Sequence, residues 1–310
     1  MPVNSEVAES KQMAREMKSR ASGRRIILWT VYLLSFAVLV VLFIEGYSYY
    51  STPYAERPRH EDYRIFKPAG SRGLTYGIIG SAMMLLMLVY SLQKRLSLFG
   101  KNRTLRPFLD FHIYMGVVGP LFIVLHTSFK VQGLVAVSFW SMVAVALSGY
   151  FGRYLYRQIP RNIQDNELSL SEMEESLEAQ TRLLKERFGI EEEKLKFLSS
   201  LFEQELEPRG KGTVMSVLRL LFDDIRRPLI KSRIRRRLTE TLNLGGRSFE
   251  ELYSQLFKRA LLHRKIAALS NVQRVFHYWH VIHKPFAIIM YIIMFIHIGV
   301  AVWTGYGWVR

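Results

Sequence analysis

Cysteine is absent from the 310-residue sequence. That excludes disulfides, cysteine-ligated iron–sulfur clusters, thiolate-bound haem and covalently attached c-type haem, so any redox centre must rest on nitrogen or oxygen ligands. Nucleotide-binding signatures are missing too. No G-x-G-x-x-G follows a strand pattern, no phosphate-binding loop occurs, and the Gly-Thr-Val-Met that follows Lys211 fits neither. Acidic residues are the scarce charge: 26 Asp and Glu against 43 Lys and Arg leave a net +17. The basic residues flank apolar runs and come with no recognition motif, so the expected partner is anionic membrane lipid and not nucleic acid. Repeats and low-complexity linkers are absent.

Long apolar runs are what the chain has in abundance. A membrane helix needs about 20 apolar residues to cross ~30 Å of hydrocarbon. Ile26 to Tyr47, Leu74 to Leu92, Phe111 to Phe129 and Leu134 to Tyr154 meet that measure, and His277 to Trp303 meets it in length while carrying several polar groups. The first run is longer than a signal-peptide core and continues into Glu45, Tyr47, Tyr49 and Tyr50, an expected interfacial aromatic belt, so it reads as a retained span. The fold class expected is an all-α membrane protein with five transmembrane helices forming a haem-binding bundle.

Residues 1–25 hold Lys11, Arg15, Lys18, Arg20, Arg24 and Arg25, which places the N-terminus in the cytoplasm of a cell with this protein in its inner membrane, and the C-terminus outside. On that topology only seven Lys and Arg lie outside (Arg57, Arg59, Arg64, Lys67, Arg72, Lys130 and Arg310). The domain plan expected is a cytoplasmic segment 1–25, spans one to four in 26–154, a helical cytoplasmic insert 155–276, and span five with the outer end in 277–310. Within the insert, Ser169-Leu-Ser-Glu172 reads as a capping box followed by Leu177, Leu183 and Leu184 at helical spacing. Pro208-Arg-Gly breaks the pattern, a second stretch holds Val214, Val217, Leu218, Leu221 and Phe222, Gly245-Gly246 ends a third, and Ser248-Phe-Glu-Glu251 opens a fourth. The basic run Lys231 to Arg237 suits a solvated, lipid-contacting or docking face.

Four of the eight histidines form a pattern. His112 and His126 lie in the third span, His283 and His297 in the fifth, and each pair is fourteen positions apart. Fourteen residues make almost four turns, so both imidazoles of a pair face one side, ~21 Å apart along the axis. Both spans run from inside to outside, which puts His112 level with His283 at the inner side and His126 level with His297 at the outer side. One histidine per helix at each level is what two axially held haems b require. Gly116 and Gly119 lie on the His112 face, where small residues give a porphyrin room, and Ala287, Met290 and Met294 occupy the matching stripe of the other helix. Gly119-Pro120 is a candidate kink. Lys284, Arg153 and Arg157 are candidates to neutralise inner propionates or to snorkel to the interface. His277 and His280 stand about 160° and 100° off the face of His297, against about 40° for His283, so with Tyr278 and Trp279 they read as interfacial anchors or as contacts to a propionate or a quinone head group. His60 and His263 carry no signal.

The residues from Phe111-His112 through Leu125-His126 and from Ile282-His283 through Ile296-His297 give the chain a resemblance to the membrane domain of ferric reductases and NADPH oxidases, whose third and fifth helices bear the haem ligands. The cytochrome b of quinol-oxidising respiratory complexes follows a similar four-histidine plan. The likeness covers the five spans and rests on spacing and topology. Ferric reductases continue into a sixth helix and a flavin- and nicotinamide-binding module, whereas this chain ends at Gly-Trp-Val-Arg310 after its fifth span and carries the helical insert instead. The resemblance therefore implies the electron-transfer subunit of an oxidoreductase complex. Its partners would be separate redox subunits of iron–sulfur, flavin or cytochrome c type, with a quinone as a further cofactor candidate. A quinol-oxidising or ferric reductase-like enzyme is the alternative, and a haem-free membrane scaffold or sensor is the alternative from another class.

Overall fold

The computed structural model describes residues 23, 26–97, 100, 105–161, 167–206, 212–242 and 247–305. The basic N-terminal cluster up to Arg25, Pro208-Arg-Gly, Gly245-Gly246 and Gly-Trp-Val-Arg310 lie outside the described residues. Among those described the protein is all-α: two bridge residues, Arg161 and Glu167, are the only β-type pairing. Five helical stretches are long and apolar enough to cross a membrane, which makes this a membrane protein.

The helices are α1 (Ile26–Glu45), α2 (Tyr47–Ser51), α3 (Tyr63–Phe66), α4 (Ser71–Leu86), α5 (Leu88–Leu96), α6 (Arg106–His126), α7 (Leu134–Gln158), α8 (Leu170–Phe188), α9 (Glu192–Leu206), α10 (Thr213–Ile225), α11 (Arg227–Leu242) and α12 (Arg247–Trp303). Several ends differ from the sequence expectation. The second span is two helices meeting at Met87. The third stops at His126 because Ser128 and Phe129 both take left-handed backbone conformations, with φ of 49° and 61°. The fifth span and the last stretch of the insert are one continuous helix of 57 residues. No breaker separates them: Pro285 is the only proline in α12, and the helix carries through it.

The chain forms two compact units, Met1–Lys101 with Leu105–Ala146 and Ile289–Arg310, and Asn102–Thr104 with Leu147–Ile288. In the first unit α4 packs along α6 through small residues. A Cβ at Gly80 would lie 3.0 Å from the Gly119 carbonyl oxygen, and one at Gly119 would lie 3.2 Å from Met83 Cβ. Backbones meet this closely where no side chain intervenes, the usual basis of helix association in lipid. Met84, Met142, Met290 and Met294 form a buried cluster, and across it the Tyr291 hydroxyl donates to the Met84 carbonyl (2.6 Å) and the Ser138 hydroxyl to the Met290 carbonyl (3.0 Å). Tyr49 and Tyr50 were expected at the lipid interface. They are instead buried, against Phe66, Tyr76, Val118 and Leu125, because the segment after α1 folds back over the bundle.

The second unit has two apolar cores. One joins α8, α9, α11 and the start of α12 around Leu184, Leu198, Phe202, Ile234, Leu238 and Leu256. The other joins α7, α10 and α12 around Leu155, Ile159, Val217, Leu220, Ala268 and Val272. The capping box holds: the Ser169 hydroxyl accepts from the Glu172 N–H, and the Glu172 carboxylate accepts from the Ser169 N–H at 2.7 Å. That Ser169 N–H, with the Ser169 hydroxyl donating to the same carboxylate oxygen at 2.7 Å, holds the Glu172 carboxyl below its usual range. The basic run of α11 is engaged by acids, Arg233 and Arg237 with Glu205, Arg235 with Glu250, and Arg236 with Glu240. Arg264, buried on α12, donates to Asp224 Oδ1 at 2.7 Å, and Tyr154 and Gln158 donate to the other oxygen of the same carboxylate.

Candidate functional site

α6 presents His112 and His126, and α4 with α5 anchors both in one way. His126 Nδ1 lies 2.8 Å from the Gly73 carbonyl oxygen, and His112 Nδ1 lies 3.1 Å from that of Met87. A carbonyl can only accept, so each Nδ1 carries the proton and donates, and the ring lone pair falls on Nε2. Gly73 and Met87 are themselves fourteen positions apart. Running antiparallel to α6, the second span thus repeats the spacing of the histidines it holds, and both imidazoles are fixed with the same tautomer. Met87 is also where the second span breaks into α4 and α5, so the bond to His112 occupies a carbonyl at a ladder interruption.

The room for His126 comes from Gly77. A Cβ there would stand 2.6 Å from His126 Nδ1 and 2.8 Å from Cε1, a collision with the ring. Gly116 and Gly119 face α4: their neighbours are the Met87 side chain, and Met83 with the Gly80 carbonyl, respectively. At Gly119 a Cβ would come within 3.2 Å of Met83 Cβ, so smallness there serves helix packing; at Gly116 a Cβ would make ordinary contact with Met87.

His297, near the end of α12, faces His126. The ring centroids are 6.4 Å apart with planes at 61°. Two imidazoles on opposite sides of one metal require about 2.0 Å per metal–nitrogen bond and about 1.2 Å from each nitrogen to its ring centre, roughly 6.4 Å in all. The pair thus has the separation of a two-imidazole metal site. Among the described residues no group of three or more His, Asp or Glu side chains is assembled that could hold a metal.

The strand of chain leaving α6 is pinned beside His126. Arg57, buried, donates from Nη1 to the Ser128 carbonyl (2.6 Å), from Nη2 to the Tyr50 carbonyl (2.7 Å) and from Nε to the Thr52 carbonyl (2.9 Å). Its guanidinium lies over the Tyr54 ring at 4.3 Å and near that of Tyr49 at 5.2 Å. The Ser128 hydroxyl donates to the Phe66 carbonyl at 2.5 Å. These bonds hold the left-handed Ser128-Phe129 turn, two residues past His126.

His283 belongs to the second unit. Its Nδ1 is 2.8 Å from Ser148 Oγ on α7, and the Trp279 ring lies 4.6 Å from its own. The Trp279 indole donates to the Ser148 carbonyl at 2.8 Å and rests on Gly152, where a Cβ would come within 2.3 Å of the indole. Trp279, expected as an interfacial anchor, is thus a packed support for His283. His277, His280, Val281, Lys284 and Pro285 line a groove of about 470 Å³ along α12. Lys284 and Arg153 are both exposed.

Gly73, Gly77, Met87, Ser148 and Gly152 were not singled out from sequence. For the glycines of α4 the signal was present: Gly73, Gly77 and Gly80 repeat at four and three positions, the small-residue stripe of packed membrane helices. A main-chain acceptor such as Met87 has no sequence signature. Comparison of the chain with family models, curated proteins and solved structures gives no match.

Proposed function

We propose that this membrane protein is a di-haem cytochrome b subunit that carries electrons across the cell inner membrane. Its N-terminus would be cytoplasmic and its C-terminus outside. Electrons would pass between a cytoplasmic or quinone donor and a partner redox protein of iron–sulfur, flavin or cytochrome c type. The observation that carries this reading is the His126–His297 pair, 6.4 Å apart, with His126 Nδ1 committed to a backbone carbonyl and its lone pair on Nε2.

The donor set fits haem b. His126 and His297 would hold it through two neutral imidazole nitrogens, the donor type haem b takes. Hydrogen bonds from Nδ1 to carbonyls orient metal-binding histidines and raise their basicity, the role assigned here to Gly73 and Met87. His112 and His283 stand fourteen positions before His126 and His297, and from that spacing alone they are proposed as the second ligand pair. Haem b, when bound, supplies a one-electron ferric–ferrous couple. Held by two imidazoles, it would suit electron relay better than oxygen binding.

The test is a reduced-minus-oxidised absorption spectrum and a haem determination on the purified chain. Two haems b per chain are expected. A haem-free protein refutes the proposal and favours a scaffold or sensor. A second reading, quinol oxidation by the chain itself, draws on the groove lined by His277, His280 and Lys284. Reduction of the bound haem by a short-chain quinol in the isolated protein would support it, and its absence would leave simple relay.

A further inference from the structure

Helix α10 is apolar on two sides. One side, with Val217 and Leu220, is buried in the core shared by α7, α10 and α12. The other carries Val214, Met215, Leu218, Phe222 and Ile225, which are 54%, 53%, 44%, 55% and 70% exposed. At 100° per residue these five fall in one arc of about 100°, roughly opposite Leu220. An aqueous face that is apolar along a whole helix is unusual for a soluble segment and marks a contact surface.

Three observations say what covers it. Arg219 and Arg226 stand at one edge of the arc and are exposed, with the Arg226 guanidinium 5.0 Å from the Phe222 ring centre. The acids of the helix lie away from the arc: Asp224 is bonded to Arg264, and burial pushes the Asp223 carboxyl above its usual range. The start of the helix is also tied to the chain just before the last apolar run. The Thr213 hydroxyl accepts from Arg274 at 3.3 Å, and Arg274 is three residues before His277, where the last apolar run opens. By contrast, the basic run of α11 is matched by glutamates of its own unit and has less charge to offer.

We infer that the exposed face of α10 lies in the head-group and upper acyl region of a bilayer containing anionic phospholipid, with Arg219 and Arg226 reaching phosphate. A large apolar face with arginine at its border is the pattern of a helix that beds into the interface. The inference does not depend on haem.

The absence of native cysteine allows a direct test. Single nitroxide labels are placed at Val214→Cys, Leu218→Cys and Phe222→Cys, with Glu193→Cys on exposed α9 as the aqueous control. The full chain is reconstituted in nanodiscs of phosphatidylcholine and phosphatidylglycerol. Collision with oxygen, which partitions into lipid, is compared with collision with a water-soluble nickel chelate. The three α10 sites should show an oxygen-to-nickel ratio several-fold above the control, and Arg219→Glu with Arg226→Glu should bring the ratio at Leu218→Cys toward the control. Nickel access equal to that of Glu193→Cys overturns the inference. So does shielding from both reagents, which would mean a protein covers the face.

Discussion

His126 and His283 are held by different chemistry. His126 donates to a main-chain carbonyl, sits in a gap left by Gly77 and faces a second imidazole. His283 meets a serine hydroxyl and a tryptophan ring that itself fills a gap left by Gly152. A carbonyl accepts and does nothing else, so the tautomer of His126 is fixed by the fold. A hydroxyl both donates and accepts, so Ser148 can follow the state of its imidazole. The first arrangement fixes its imidazole, and the second leaves its imidazole open to adjustment.

The largest effect that would break this contrast is at Gly77. Gly77→Val should drive the His126 ring from its place and remove half of the bound haem, measured as haem per chain. Retention of full haem would show that the gap is not needed. The next is at Arg57. Arg57→Met strips three carbonyls of their donor beside the end of α6 and should lower stability by about 2–3 kcal/mol, read from thermal unfolding in detergent. Unchanged stability would mean that water replaces the guanidinium at no cost. The smallest is at Ser148. Ser148→Ala should leave haem content intact and shift the midpoint potential of a single haem, seen in a redox titration. Loss of that haem would show that the hydroxyl secures His283 as firmly as the Gly73 carbonyl secures His126.

Much of this molecule is legible in its sequence, and the limits have physical causes. The apolar runs fix the membrane helices because hydrocarbon tolerates little else. The fourteen-residue spacing singles out four histidines, and two of them, His126 and His297, lie with ring centres 6.4 Å apart in one unit. Helix ends were less legible. The stop after His126 depends on tertiary bonds from Arg57 and Ser128, and the junction of the insert with the last span leaves no breaker to read. On α10 the apolar positions were visible, but which of them face the core was not: Val217 and Leu220 are buried, while Val214, Leu218 and Phe222 are exposed. A helix apolar on both sides gives no clear phase. The close approach of Gly119 to Met83 and to the Gly80 carbonyl on α4 was not legible from its face alone.

Whether His126 and His297 serve as one ligand pair decides the proposed function. Low-temperature electron paramagnetic resonance of the oxidised protein tests it directly. The wild-type chain should give two low-spin ferric signals of bis-imidazole type, and His297→Ala should abolish one while leaving the other unchanged. Two undiminished low-spin signals in His297→Ala, or none in the wild type, would contradict the assignment.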